Sequence, residues 1–404
     1  MNVLFLTMSP LLARIEESGI YTDLMRKFRE EGHNVFIVYP LERRLNKLTE
    51  CKEENGIMLL GVRTLNVAKT NIIEKGIGQV LLEYNFLSAI RRYFKTIKFD
   101  LILYSTPPIT FTRLVEILKK SNQGAVCYLL LKDIFPQNAV DLGLLSDSGL
   151  RKYIYRFFRC KEKRLYQLSD FIGCMSPANV KYVLENNPEV TAERVEIAPN
   201  SYDVPSSKGI GADEVAQIRK KYALPLDKPI FIYGGNIGRP QGVSFIIECL
   251  KAVKDRTDCH FVVIGDGTEY AKLDEFMKEY SPKAVSLFKR IPKTDYDTLT
   301  YACDAGLIFL DYRFSIPNYP SRLLPYLIAR KPVIAATDTN CDTGAIAEEN
   351  GYGFYTPSNS VEKFIKTIDK MLASDMRQMG ENGYRFFLEN YTTEHTYQSI
   401  VKHL

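Results

Sequence analysis

Several loops of this 404-residue chain hold residue types suited to gripping phosphate. The richest is Tyr233-Gly234-Gly235-Asn236-Ile237-Gly238-Arg239-Pro240-Gln241-Gly242, set between an apolar run and a helical stretch. Glycines let a backbone approach a ligand closely, and a following helix N-terminus offers unpaired N–H groups to an anion. Arg239 adds a fork of donors. A tight strand–helix turn with no ligand is the plainer reading of such glycines. Further on, Gly265-Asp266-Gly267 closes another apolar run, and residues 314–322 lead into a helix expected over 323–329. Ser321 and Arg322 then stand where a helix N-terminus and a cation together hold a diphosphate. In the first half, Asp133 follows the apolar run 126–131. There a carboxylate either orients or deprotonates a hydroxyl, or caps the helix after Pro136.

Other chemistries find little support. With four histidines and no Ser-His-Asp arrangement, no histidine-based site forms, and His33 reads as a surface residue of a helix–strand turn. Asp295-Tyr296-Asp297 fits a D-x-D metal pattern, but it lies at a helix start, where carboxylates normally act as caps. The eight cysteines are scattered singly, which argues for neither a zinc site nor a disulfide framework and fits a reducing cytosol.

The elements that must position these loops alternate between short apolar runs and helical stretches. Residues 3–6, 35–39, 101–104, 126–131 and 171–175 read as strands, with a helix over 21–31. Such alternation predicts a parallel sheet covered by helices, with functional loops at the strand C-terminal ends. Prolines, glycines and serines crowd residues 200–228, after which the pattern restarts with strands at 230–233, 261–264, 285–288, 305–310 and 333–336 and a helix over 244–253. The length also asks for more than one core. The expected fold class is α/β, two doubly wound Rossmann-like domains facing across a cleft. Their expected extents are residues 1–202 and 203–385. Residues 386–404, with Thr393 as a helix N-cap, would pack back on the first domain. The chain enters a strand at residue 2 without a signal-peptide pattern, and no apolar run reaches the ~18 residues of a spanning helix.

The Gly-rich turn, Val262-Val263-Ile264-Gly265-Asp266-Gly267, the segment 295–307 and Pro320-Ser321-Arg322-Leu323-Leu324-Pro325-Tyr326 running to Lys331-Pro332-Val333-Ile334-Ala335 together resemble the family 4 retaining glycosyltransferases of GT-B fold. The likeness is nearest to the capsule and O-antigen subgroup, which includes L-fucosamine-type transferases. It implies transfer of a sugar, an N-acetylated amino sugar in this subgroup, from a UDP-sugar to a lipid-linked saccharide with retention of configuration. It implies no metal and no cofactor beyond the nucleotide sugar. By the same resemblance Gly235, Asn236, Arg239 and Gln241 face the donor phosphates, and Ser321 and Arg322 cap the diphosphate; in the loop after the first strand, the small Gly19 would admit the donor phosphates closely. Gly265 and Asp266 lie near the nucleotide, with Pro292 beside the base. Asp133 becomes an acceptor-site carboxylate. Two glutamates of the broad family are replaced by Pro317 and Pro325, which leaves Asn318 or Asp311 to meet the donor sugar. Two competing readings are a UDP-N-acetylglucosamine 2-epimerase and a non-catalytic sugar-nucleotide-binding partner.

Two stretches are basic and aromatic although the net charge is only +5. Residues 149–168 carry Arg151, Lys152, Arg156 and Arg159 beside Leu150, Tyr153, Ile154 and Phe157; residues 83–98 carry Arg91 and Arg92. An amphipathic helix with its apolar stripe on the sheet explains the aromatics. The doubled basic face instead suggests an anionic membrane surface, with the protein peripheral at the inner face of the cell membrane. No nucleic-acid partner is expected from so small a charge excess.

Overall fold

The computed structural model describes residues 1–9, 14–66, 72–205 and 209–404. The chain divides into two compact units, the first comprising Met1–Asp203 with Thr392–Leu404 and the second Val204–Tyr391.

Unit 1 is built on eight strands: β1 (Asn2–Leu6), β2 (Asn34–Glu42), β3 (Glu50–Glu54), β4 (Ile57–Thr64), β5 (Leu101–Ser105), β6 (Val126–Leu131), β7 (Phe171–Cys174) and β8 (Val195–Ile197), in the order β3-β4-β2-β1-β5-β6-β7-β8. All pair in parallel except β3, an antiparallel edge strand. Period-two alternation explains why β1 is apolar throughout. Leu4 and Leu6 enter one core with Ile102 and Leu129, while Val3 and Phe5 enter the opposite core with Phe28 and Leu101. The direction of winding changes between β1 and β5, so the loops after these strands border the crevice where open α/β sheets bind ligands.

The returning segment completes the second of these cores through Tyr397 and Ile400. Its helix is Thr393–Val401 with Thr392, not Thr393, at the N-cap. Tyr397 Oη meets His33 Nε2 at 2.9 Å, so His33 is half-buried rather than a free surface residue. At the other end, His403 stacks on Phe171 at 3.6 Å, and Glu196 accepts from Tyr128, His403 and Lys402.

Unit 2 holds six parallel strands, β9 (Ile230–Asn236), β10 (His260–Asp266), β11 (Val285–Phe288), β12 (Ala305–Phe309), β13 (Val333–Thr337) and β14 (Gly353–Pro357), in the order β11-β10-β9-β12-β13-β14. Its winding reverses between β9 and β12. The helix Ala212–Lys221, inside the stretch 200–228 crowded with prolines, glycines and serines, belongs to this unit. Arg219 on that helix is buried, and its guanidinium donates to Ala302 O twice (2.8 and 2.6 Å) and to Asp304 Oδ2 (2.8 Å), with longer bonds to Pro225 O and Lys228 O. One side chain thus ties the entry of the unit to β12. Arg219→Met should strand these acceptors and lower the stability of unit 2 by roughly 3 kcal/mol, read as an earlier unfolding transition in urea.

Candidate functional site

The loops after β9 and β12 meet at the switch point of unit 2. Gly235, at the end of β9, has φ +131°, and a Cβ there would come within 3.3 Å of Arg322 Nη2 from the loop after β12. The Arg322 guanidinium lies over the Tyr233 ring, 4.4 Å from its centroid. Around it stand Tyr233, Tyr296 and Tyr326, and its Nη1 is buried with no hydrogen-bond partner among the described residues. Among the described residues Arg322 makes no ion pair. Tyr326 Oη fastens the wall to the strand, accepting from Gly234 N (3.1 Å) and donating to Ile232 O (3.1 Å). Tyr296 occupies the space beside Gly234, where any Cβ would collide with it. Asn318, in the same loop as Arg322, also has a buried donor, Nδ2, without a partner. Arg239 is exposed, and its side chain is unpaired among the described residues. Buried donors with no acceptor and a guanidinium with no carboxylate are the chemical complement of a diphosphate.

Other residues of the expected set are held differently. Gln241 Oε1 accepts from Gly238 N (3.2 Å) and Asn236 Nδ2 (3.0 Å), so both side chains brace the loop. Gly265 and Gly267 are small because a Cβ would strike the Gly235 and Ile237 carbonyl oxygens, and strand packing accounts for both. Asp266 is exposed and accepts from Gly267 N. Asp311 is taken up by Arg313 through two bonds of 2.8 and 2.7 Å, which removes it as a sugar ligand. Ser321 is exposed, and Arg322 rather than Ser321 is the N-cap of the short helix Leu323–Ile328, within which Pro325 falls. Pro292 is the exposed N-cap of the helix Lys293–Ala302. The D-x-D carboxylates are engaged, Asp295 by Lys221 and Tyr222, Asp297 by Lys293. Among the described residues no group of His, Cys, Asp and Glu is arranged to hold a metal.

Residues 214–386 match the family of glycosyl transferases group 1. That match spans most of the second unit. The chain is 24% identical to WbjE of Pseudomonas aeruginosa, named a probable glycosyltransferase, over 80% of this chain and 78% of that one. It is 23% identical to WcaI of Escherichia coli, named for colanic acid biosynthesis, over 71% and 68% of the two chains. Among solved structures, Anabaena HepE in complex with UDP-glucose superposes with a TM-score of 0.70 at 14% identity, covering 100% of this chain and 99% of that one. The fold is GT-B.

In unit 1, Asp133 lies just past β6. It does not cap the helix Gln137–Asp141, which has no side-chain cap; its Oδ1 instead accepts from Asn138 Nδ2 at 2.8 Å. Burial pushes its carboxyl up to about 6. Lys132, which sequence patterning does not single out, extends the other way to donate to Ala198 O at 2.9 Å, and burial brings its amine down to about 7. The Gly19 amide is already committed, donating to the buried Asp23 Oδ1 at 2.8 Å, while Asp23 Oδ2 accepts from Ser18 Oγ and Asp203 N.

The basic helices of unit 1 span Ile72–Tyr93 and Lys152–Leu168. The apolar stripe of the second does not pack on the sheet at its start. Leu150 is 88% exposed, Tyr153 63%, and Ile154 and Phe157 about half, beside exposed Arg151 and Arg156 and half-exposed Lys152. Arg91 and Arg92 are likewise exposed, next to Tyr93. Arg159 departs from this face: it pairs with buried Glu162 and donates to Asn186 O and Asn187 Oδ1.

The Asp133 environment has a consequence for stability. Its ionised form is disfavoured in the fold, so the penalty is absent below its ordinary 3.8, grows as pH rises towards about 6, and is complete above that. Asp133→Asn, which keeps an acceptor for Asn138, should stabilise the protein by roughly 2 kcal/mol at pH 7.5 and by nothing at pH 3.5, seen as a pH-dependent gap between melting curves.

Proposed function

We propose that the protein transfers a sugar, with retention of configuration, from a UDP-sugar to a lipid-linked saccharide in the assembly of a surface polysaccharide such as capsule or O-antigen. The carrying observation is Arg322, a guanidinium walled by tyrosines with a buried unpaired Nη1 at the switch point of the transferase domain. Arg322, Arg239 and the amides of the Gly-rich loop take the charge that develops on the leaving diphosphate as the C1–O bond breaks. Asn318 donates to the donor sugar or to a phosphate oxygen. Asp133 orients the acceptor hydroxyl and draws on its proton as the new bond forms. An N-acetylated amino sugar is the donor we favour, with no metal or further cofactor in the step. The HepE complex with UDP-glucose and the naming of WcaI for colanic acid biosynthesis support the nucleotide and the polysaccharide setting.

The test follows UDP release from UDP-sugars with and without a lipid-diphosphate saccharide. Arg322→Ala should raise the donor KM by about tenfold or more. Asp133→Asn should lower kcat by about a hundredfold while leaving UDP affinity nearly unchanged. Sugar isomerisation without UDP release, or UDP-sugar binding with no acceptor-dependent release, would overturn the transferase reading.

We further propose that unit 1 rests on an anionic bilayer at the inner face of the cell membrane. The support is the exposed stripe Leu150, Tyr153, Ile154 and Phe157 flanked by Arg151, Lys152 and Arg156. Apolar side chains enter the interface while each basic residue gains about 1 kcal/mol at the anionic surface. Flotation should recover the protein with anionic vesicles at low salt, less at high salt, and little after Arg151, Lys152 and Arg156 are changed to Glu. Equal recovery with neutral and anionic vesicles would defeat the idea.

A further inference from the structure

Lys132 has no evident structural employment. Its ammonium is carried across the C-terminal ends of β7 and β8, where among the described residues Ala198 O is its one hydrogen-bond acceptor and the Cys174 thiol its electrostatic neighbour. It makes no ion pair among the described residues, and Asp133, next in sequence, turns to Asn138. Burial pushes the Cys174 thiol up to about 12, so that neighbour is neutral and supplies no counter-charge. Three residues beyond Ala198, Ser201 is 1% exposed and between them Asn200 is 6% exposed; among the described residues neither Ser201 Oγ nor Asn200 Oδ1 has a partner. On the Asp133 side, Asn138 Oδ1 is buried and unpartnered as well.

A lysine serving only the fold would either reach water or meet a carboxylate, because a shielded ammonium without a counter-charge costs several kcal/mol. Buried hydroxyl and amide oxygens without partners carry a smaller cost of the same kind. Gathered at the strand ends of one sheet, beside the carboxylate of the acceptor site, these costs are removed together by one kind of ligand. Its anion would meet the ammonium, and its hydroxyls the orphaned oxygens.

We propose that Lys132 is the cation of an acceptor subsite in unit 1, taking an anionic group attached to a saccharide. The proposal rests on the reading of unit 1 as the acceptor unit. A sugar phosphate and a uronate share the required chemistry: an anion on Lys132, with sugar hydroxyls on Asn200, Ser201 and Asn138.

The subsite is testable without any transfer reaction. Acetylation of the full-length protein, followed by mass spectrometry of the peptide holding Lys132, measures how much of this amine is neutral and open. In free protein Lys132 should react faster near neutral pH than the exposed lysines. An anion that raises its pKa by about one unit should slow its labelling at pH 7 about fivefold. The probes are glucose 1-phosphate, glucuronate and neutral N-acetylglucosamine. Protection by glucose 1-phosphate alone assigns the subsite to phosphate, by glucuronate alone to carboxylate, and by both to either anion. Protection by the neutral sugar equal to that by the anions, or by none of the three, overturns the proposal. The same labelling is run on Arg322→Ala; loss of protection there would place the anion at the donor diphosphate site and overturn it equally. Because the readout needs no turnover, its failure leaves acceptor-dependent UDP release standing, and failure of that release leaves the labelling result interpretable.

Discussion

A charge left without its counter-charge organises the second unit. Arg322 must be held in a shielded place yet not be neutralised, and the surrounding structure is arranged to do both. Tyr233 offers a ring face, Tyr326 anchors to the backbone of β9, and Tyr296 fills the gap beside Gly234. These groups give a guanidinium contact and orientation without a carboxylate that would compete with an incoming anion. The glycines of β9 and β10 follow from the same requirement, since the two strand ends must lie close enough for Gly265 to approach the Gly235 carbonyl. Gln241 then fixes the loop shape through its single carbonyl oxygen.

Unit 1 shows the same economy with the sign of the problem varied. Asp133 and Lys132 are adjacent in sequence, and each is held away from its ordinary protonation balance by burial, yet they point to different partners and do not neutralise each other. Two groups whose tendencies to ionise are both weakened can exchange protons or accept a ligand near neutral pH with little rearrangement. Their cost to the fold is offset by the two apolar cores on either face of the sheet.

The repeating apolar runs made the two parallel sheets legible, because strands buried on both faces stay hydrophobic throughout. The edge hairpin β3–β4 was missed, though Asn55-Gly56 is a strong turn signal; both residues take positive φ, as such a turn requires. Its strand β3 is charged and largely exposed, so no apolar run marks it. The Gly-rich loop and Arg322 were readable as phosphate-binding chemistry. The tyrosine wall was not, since Tyr296 and Tyr326 come from distant segments that only packing brings together. Arg159 shows the limit of counting charges on a helix: its place along the turn directs it inward to Glu162, while Arg156 faces out.

The return of Thr392–Leu404 to unit 1 gives the chain an order of events. Unit 2 is contiguous and can close as soon as it has left the ribosome. Unit 1 is made first but must wait with the Phe28 and Tyr397 side of its core uncovered until the whole of unit 2 has been synthesised. At ~5–20 residues per second that interval lasts roughly ten to forty seconds. Throughout it the earlier half of the protein is the one exposed to chaperones and proteases.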